Sequence, residues 1–302
     1  QSFEFGSFLE SIGRTVWRLQ YKDGKSIHQL QCVIYTAPLG IRFAYAPRAY
    51  LESTVAPHFL NYLKKERIGF LRIESVNDIG AITFPHYQTH NRQAQNRWIL
   101  NVKKDIDTIL AEMHQKTRYN IHLAEKKGVT IEEKKDVELF WKLDQETTKR
   151  KQYTANPKSY YEAILNTPMA IQTNAYYQGI PVASSILLHF KHTLIYLFGA
   201  SASQHRNVMA PALLQWYNIK KAHQLGCIYY DFLGAAPPTT QAEGGETLHH
   251  YTWDAKHPFS AVTRFKAGFG GFVRTFPKAQ EIVLSKPRYW FFVLLSKLGL
   301  TK

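Results

Sequence analysis

The stretch from Ile171 to Phe198, IQTNAYYQGIPVASSILLHFKHTLIYLF, decides the fold. Its β-rich runs, Ile171 to Tyr177, Val182 to Phe190 and Thr193 to Phe198, are separated by Gln178-Gly179 and Lys191-His192, connections of hairpin length. They predict an antiparallel three-stranded meander. A helix from Pro211 to about Gln224 follows, then a short apolar strand, Tyr229 to Phe232. Upstream, a strand at Trp98 to Val102 leads into helices at Asp105 to Met113, Tyr119 to Lys127 and Val137 to Gln152, with a short strand near Val129 and a further helix after Asn156-Pro157. The first half reads as a weaker version of the same order. Phe3, Phe5, Phe8, Leu9 and Ile12 mark an amphipathic helix, and strands follow at Val16 to Gln20, His28 to Tyr35 and Arg42 to Ala46. Ser53 is a candidate cap for a helix running to about Arg67, and Phe70 to Glu74 is expected to be the next strand. The polar stretch His86 to Asn96 reads as a long loop and a candidate lid.

A chain of 302 residues with 45% hydrophobic content buries one large core or two ordinary ones. A formal charge of +15 draws in polyanions, whether nucleic acid, a diphosphate-linked substrate or an anionic membrane surface, and does not choose among them. Cys32 and Cys227 are far apart and lack a CxxC partner, which argues against a disulfide framework or a thiolate metal site and fits a reducing cytoplasm. The chain opens on Gln1 as if inside an element, so a trimmed N-terminus is expected, and no signal peptide is read. Near the other end, Tyr289 to Leu295 reads YWFFVLL, too short to span a bilayer and flanked by Lys286, Arg288, Lys297 and Lys302. It is either a terminal helix docked on the core or an interfacial helix on anionic lipid.

The residues that carry chemistry gather late in the chain. Tyr229-Tyr230-Asp231-Phe232-Leu233-Gly234 ends a strand in an acid and a glycine, and Thr263-Arg264-Phe265-Lys266-Ala267-Gly268-Phe269-Gly270-Gly271 sets a lysine among glycines that let backbone approach a ligand. Lysine is a compact cation with three donors, suited to negative charge developing on a reacting oxygen. No metal or cofactor is expected. His249 and His250 are adjacent and cannot face one metal from a regular strand, and no GxSxG or GK[ST] motif is present. Helices, a meander, a helix and another strand are the element order of a GNAT-type acyltransferase domain. The turn that would hold the CoA pyrophosphate, Gln204 to Pro211, carries Val208 and Met209 where small residues are wanted, and Pro211 removes a donor. CoA is therefore disfavoured.

In this setting the chain resembles the FemABX peptidyltransferases, the tRNA-dependent aminoacyltransferases that form peptidoglycan bridges. Gln1 to Gly6, Pro38-Leu39-Gly40 with Tyr45-Ala46-Pro47-Arg48, and Lys116-Thr117-Arg118-Tyr119-Asn120-Ile121 with Ala124 and Gly128 match family segments. Tyr196 to Ser201, the Ala210-Pro211 helix with Gln215-Trp216, YDFLG and RFKAGFGG continue the series in order.

The resemblance implies an α/β fold of mixed sheets, with two GNAT-like acyltransferase domains packed side by side. One would be 1–97 completed by 277–302, the other 98–276 carrying the catalytic lysine. It further implies transfer of an amino acid from aminoacyl-tRNA to the stem-peptide amine of a peptidoglycan precursor. Alternatives are an N-acyltransferase using acyl-CoA on a sugar or peptide, and a non-catalytic nucleic-acid-binding protein. Lys266 matches the family's oxyanion-stabilising lysine, with Phe265 beside it. Tyr160 matches a tyrosine that contacts the nucleotide diphosphate of a soluble precursor, but an arginine four residues before it is Asn156 here, and Ser7 stands near an expected lysine. Lys158 could restore a phosphate contact, and a lipid-linked precursor competes with a UDP-linked one. Tyr196 and Phe198 match channel-lining aromatics, and Asp231 either orients the acceptor amine or caps a turn. Lys116, Arg118, Lys126, Lys127 and Arg206 are candidates for contact with tRNA or phosphate, the alternative being a solvated face. No helical arm is expected, and the protein is expected to be a cytoplasmic monomer, with peripheral membrane contact through its C-terminal helix as the alternative to docking of that helix on the core.

Overall fold

The computed structural model describes residues 2–240 and 244–300. In chain order these form α1 (Phe3–Ser11), β1 (Thr15–Asp23), β2 (Ser26–Ala37), β3 (Ile41–Ala49), α2 (Ala56–Lys65), β4 (Phe70–Ser75), β5 (His86–Gln88), β6 (Asn96–Asn101), α3 (Ile106–Glu112) and α4 (Gln115–Lys126). They continue through β7 (Thr130–Glu133), α5 (Val137–Lys151), α6 (Lys158–Leu165), β8 (Ala170–Tyr177), β9 (Ile180–Phe190), β10 (Thr193–Ser201), α7 (Ala210–Gln224) and β11 (Tyr229–Gly234). Last come β12 (Gly245–Leu248), β13 (Tyr251–Asp254), α8 (Ser260–Ala267), β14 (Phe272–Thr275), β15 (Gln280–Val283) and α9 (Lys286–Lys297). The chain divides into two compact units, Gln1–Gln95 with Thr275–Lys302, and Asn96–Arg274.

The first unit holds a mixed sheet of order β1-β2-β3-β4-β15-β5. The strands β3 and β4 are parallel, which requires a crossover, and α2 supplies it. Ala56, Phe59, Leu60 and Leu63 recur at helical spacing and are buried on one side of α2. Every residue of β4 is buried, including Arg72 and Glu74, so both charges need partners. Arg72 pairs with Glu281 of β15, and Tyr289 of α9 donates to the same carboxylate at 2.9 Å. Glu74 accepts from the Tyr45 hydroxyl at 2.9 Å and from the amides of Arg92 and Gln93 at 2.7 and 3.0 Å. The 86–96 stretch read as a loop thus includes β5, which pairs with β15, and is pinned beyond it by Glu74. Its partner strand lies near the far end of the chain, so local sequence carries no sign of the pairing.

The second unit holds a sheet of order β14-β6-β11-β10-β9-β8-β7 and a small β12-β13 hairpin. The predicted meander is β8-β9-β10, antiparallel throughout, and α7 carries the chain across to β11, parallel to β10. The order β1-β2-β3-α2-β4 of the first unit repeats here as β8-β9-β10-α7-β11. Both sheets are mixed, and the fold is a tandem of GNAT-like α/β units. One difference between the units bears on function. In the first, β3 and β4 remain paired from Ala44↔Leu71 to Ala49↔Ser75. In the second, β10 and β11 pair only from Thr193↔Tyr229 to Ile195↔Asp231, after which β10 is bulged between Tyr196 and Phe198 and the two strands no longer pair with each other.

Candidate active site

At the end of this short ladder, Asp231 is buried against Arg97 of β6. Arg97 Nη2 lies 2.7 Å from Oδ2 and Nε donates to Oδ1 at 3.2 Å, a two-pronged ion pair. The amide of Leu233 also donates to Oδ1, at 2.7 Å, and Leu233 adopts φ 62°. Asp231 therefore closes the turn that follows it, one of the two roles the sequence left open. Burial raises its pKa, with Arg97, the Leu233 amide and Lys266 opposing that rise.

Lys266 is delivered by α8. Its Nζ donates to the carbonyl of Gly234 at 2.6 Å and its side chain is only 6% exposed. Burial drives its pKa from 10.5 down to about 7; the charge of Asp231 opposes this and that of Arg97 adds to it. Phe265 leaves the same helix in another direction, 39% exposed, with its ring edge-on to Phe269 at 5.4 Å. A second tie, from the Ala236 amide to Thr263 Oγ1 at 2.8 Å, fixes α8 against the chain leaving β11.

The glycines around Lys266 act differently from the expectation of a backbone open to ligand. A Cβ on Gly268 would come 2.3 Å from Thr117 Oγ1, and one on Gly271 would come 2.4 Å from the Ile99 carbonyl. Gly270 accepts from Trp98 Nε1 at 2.7 Å. The cluster lets the end of α8 close onto α4 and β6, which positions the lysine.

The aromatic candidates form a second group. Phe198 meets Tyr160 and Tyr161 edge-on at 6.1 and 5.2 Å, and Tyr161 donates to the buried Asp144 at 2.9 Å. Asn156 hydrogen-bonds Tyr161 and, with Trp141, Tyr153 and Pro157, borders an open cleft of about 730 Å³. Lys266 does not line this cleft. Lys158 is ion-paired with Glu138. The Tyr196 hydroxyl lies over Gly199, in the place a side chain there would take, and bonds Gln215, which also accepts from Tyr230 at 2.7 Å. Burial pushes the Tyr196 pKa up to about 12.

The basic candidates are spread along α4 and the turn before α7. Lys116 and Lys126 are exposed, Lys127 Nζ donates to the Asn207 carbonyl at 3.2 Å, and the exposed Arg206 lies in that same turn. Arg118 instead donates to the carbonyls of Ala111 and Met113 at the end of α3. The turn itself passes through left-handed residues at His205 and Met209, and the Ala212 amide is taken by the Met209 carbonyl. Little remains there of a backbone cradle for pyrophosphate.

Arg97, Asp144 and Tyr161 were missed by sequence reasoning. Arg97 lies 134 residues from Asp231, and nothing local to either marks the pairing.

These features mark out a class of protein: a tandem of GNAT-like units, one carrying a buried lysine beside a strand end. The FemAB family model matches residues 71–168 and 169–297, and the chain belongs to the FemAB family. At that level it is a transferase of peptidoglycan synthesis, in a family of bridge-forming aminoacyltransferases. Its fold is similar to a crystal structure of FemX, at TM-score 0.79 and 16% identity over 96% of this chain and 93% of that one. It also resembles the C-terminal domain (DUF2156) of a candidate lysylphosphatidylglycerol synthetase from Agrobacterium fabrum, at TM-score 0.60 and 11% identity over 99% and 92% of the two chains. L-PGS from Bacillus licheniformis is similar at TM-score 0.57 and 11% identity over 99% and 96%. Comparison with curated protein sequences gives no significant match.

Proposed function

We propose that this protein transfers an amino acid from aminoacyl-tRNA to the stem-peptide amine of a peptidoglycan precursor, with Lys266 stabilising the reacting oxygen. The observation that carries this reading is the buried Lys266, held by the Gly234 carbonyl beside the Arg97–Asp231 pair. Attack of a neutral amine on the tRNA ester forms the C–N bond and moves an electron pair onto the carbonyl oxygen. Collapse of that oxyanion breaks the ester C–O bond, and the ribose oxygen leaves with the proton the amine has lost.

Gly234 takes one of the three Nζ donors, and an ammonium with further donors matches the oxyanion. With a pKa of about 7 the lysine exchanges its proton readily near neutrality, and negative charge on the substrate favours its charged form. Phe265, adjacent and half-exposed, offers an apolar wall. Asn156 on the cleft, with Tyr160 and Phe198, is assigned to the precursor, while Tyr196 bonds Gln215 and Asp231 closes the turn after β11. Asn156 supplies no charge for a diphosphate and Lys158 is ion-paired with Glu138; UDP-linked and lipid-linked precursors both carry a diphosphate, so these residues do not choose between them. Lys116, Lys126, Lys127 and Arg206 are assigned to tRNA phosphates; Arg118 orders the α3–α4 junction. The protein works as a monomer on the cytoplasmic side of the membrane.

Mass spectrometry of precursor incubated with charged tRNAs tests the reaction. Lys266→Met is expected to keep precursor affinity and to lower turnover about a hundredfold. Unchanged turnover removes Lys266 from the mechanism, and acyl transfer from CoA in place of charged tRNA removes the proposed donor.

A further inference from the structure

We infer that the outer face of α9, together with Leu39, docks the first unit on an anionic lipid bilayer. The helix has two faces of different character. Tyr289, Phe292 and Leu295 are buried and share a cluster with Phe43 and Phe70; the Phe292 ring lies 4.8 Å from Phe70 and 5.2 Å from Phe43. The face left outside is as apolar as the one inside: Trp290 is 54% exposed, Leu294 51% and Leu298 63%, with Phe291 beside them. Two hydrogen bonds tie the first turn of the helix to the unit. Tyr289 bonds Glu281 of β15, and Arg288 donates to the Arg67 carbonyl at 2.8 Å. These ties seat the first turn, and the buried Phe292 and Leu295 seat the turns that carry Phe291 and Leu294.

Leu39 is the independent observation. It is carried on the turn between Ala37 and Ile41, and both of those residues belong to the cluster that seats α9. Leu39 adopts φ 61°, a left-handed conformation that disfavours a branched aliphatic side chain, and is 75% exposed. A leucine held in an unfavourable conformation and presented to water has no account in the packing of this unit. Insertion into an apolar medium supplies one. The exposed ring of Tyr87 adds to the patch, packing on Tyr289 and Trp290 at 5.6 and 5.9 Å.

Charge selects the occupant. The α9 segment KPRYWFFVLLSK contains Lys286, Arg288 and Lys297 and no acid, within a chain of formal charge +15. Exposed Trp and Tyr at the level of lipid headgroups, aliphatic groups beyond them and cations at the margin describe an interfacial helix on anionic lipid. No described helix is long and apolar enough to cross the membrane, so the contact is peripheral. This inference stands apart from the aminoacyl-transfer reading, since it uses none of the residues assigned to that reaction.

Flotation with vesicles of equimolar phosphatidylglycerol and phosphatidylcholine, against vesicles of phosphatidylcholine alone, tests it. The intact protein is expected to float with the anionic vesicles and to be released by high salt. The combined substitution Trp290→Ser, Phe291→Ser and Leu294→Ser is expected to weaken binding at least about tenfold. Leu39→Gly separates docking from folding: it relieves the left-handed strain, so thermal stability holds or rises while vesicle binding falls. Transfer to a water-soluble precursor is expected to be unchanged in both variants. Binding that survives the triple substitution overturns the inference. So does an intact protein that ignores anionic vesicles, or one in which this face is covered by a second copy, seen as a dimer that the triple substitution dissolves.

Discussion

Replacing Lys266 by methionine is expected to stabilise the folded protein at neutral and acidic pH, and the size of the gain is expected to vanish as the pH rises. Burial lowers the Lys266 pKa from 10.5 to about 7. Below that lower value both folded and unfolded chains carry the proton, and the folded chain bears the whole unfavourable burial of the charge. Between the two values the folded lysine has shed its proton while the unfolded one keeps it, so stability of the unmodified protein climbs with pH. Above the upper value both forms are neutral and the penalty is gone. At 1.36 kcal/mol for each tenfold change in proton affinity, the penalty at low pH is about 5 kcal/mol. Methionine fills a similar volume without charge but loses the bond to the Gly234 carbonyl, worth roughly 1–2 kcal/mol. A net gain of about 3–4 kcal/mol remains near pH 6, which corresponds to an increase on the order of 10 °C in the unfolding midpoint for a unit of this size. Near pH 10 the difference should have fallen to zero or reversed. Thermal unfolding of both proteins, followed by circular dichroism across that range, measures it. A difference that does not change with pH, or a variant less stable near pH 6, would refute a buried lysine with a depressed pKa. A site that sacrifices stability in this way and regains it on losing its function is the pattern expected of a reacting group.

Arg97→Met leaves Asp231 without its guanidinium partner in a buried setting. A loss of about 3–5 kcal/mol in urea unfolding is expected at neutral pH, easing at acidic pH as Asp231 takes up a proton; a loss below about 1 kcal/mol would show that the pair is not needed. Gly271→Ala places a Cβ against the Ile99 carbonyl at a residue with φ 94°, and should destabilise by more than about 2 kcal/mol, with loss of activity from displacement of α8. A stable and fully active Gly271→Ala protein would mean that the end of α8 does not position Lys266.

Much of this architecture was legible because it is local. The β-rich runs of Ile171 to Phe198 with their hairpin-length connections, and the helical spacing of Phe59, Leu60 and Leu63, are local patterns of this kind. An ordered series of short segments marks the family and points to Lys266. The environment of Lys266 was not legible in this way. Its glycines were read as an opening toward ligand, and they instead admit Thr117 and Ile99. Lys158 and Arg118 were counted among phosphate contacts, and the fold engages them with Glu138 and with helix-end carbonyls.

The sequence by itself determined the order β8-β9-β10-α7-β11, its weaker repetition in the first half and the choice of Lys266 as candidate lysine, since each is written in periodicity or in contiguous residues. Tertiary structure alone decided what surrounds that lysine. Arg97 and Asp231 are separated by 134 residues, and Arg72 and Glu281 by 209, so no local pattern couples either pair. The same holds for the proton affinity of Lys266, which depends on how much water the packed chain removes from one nitrogen.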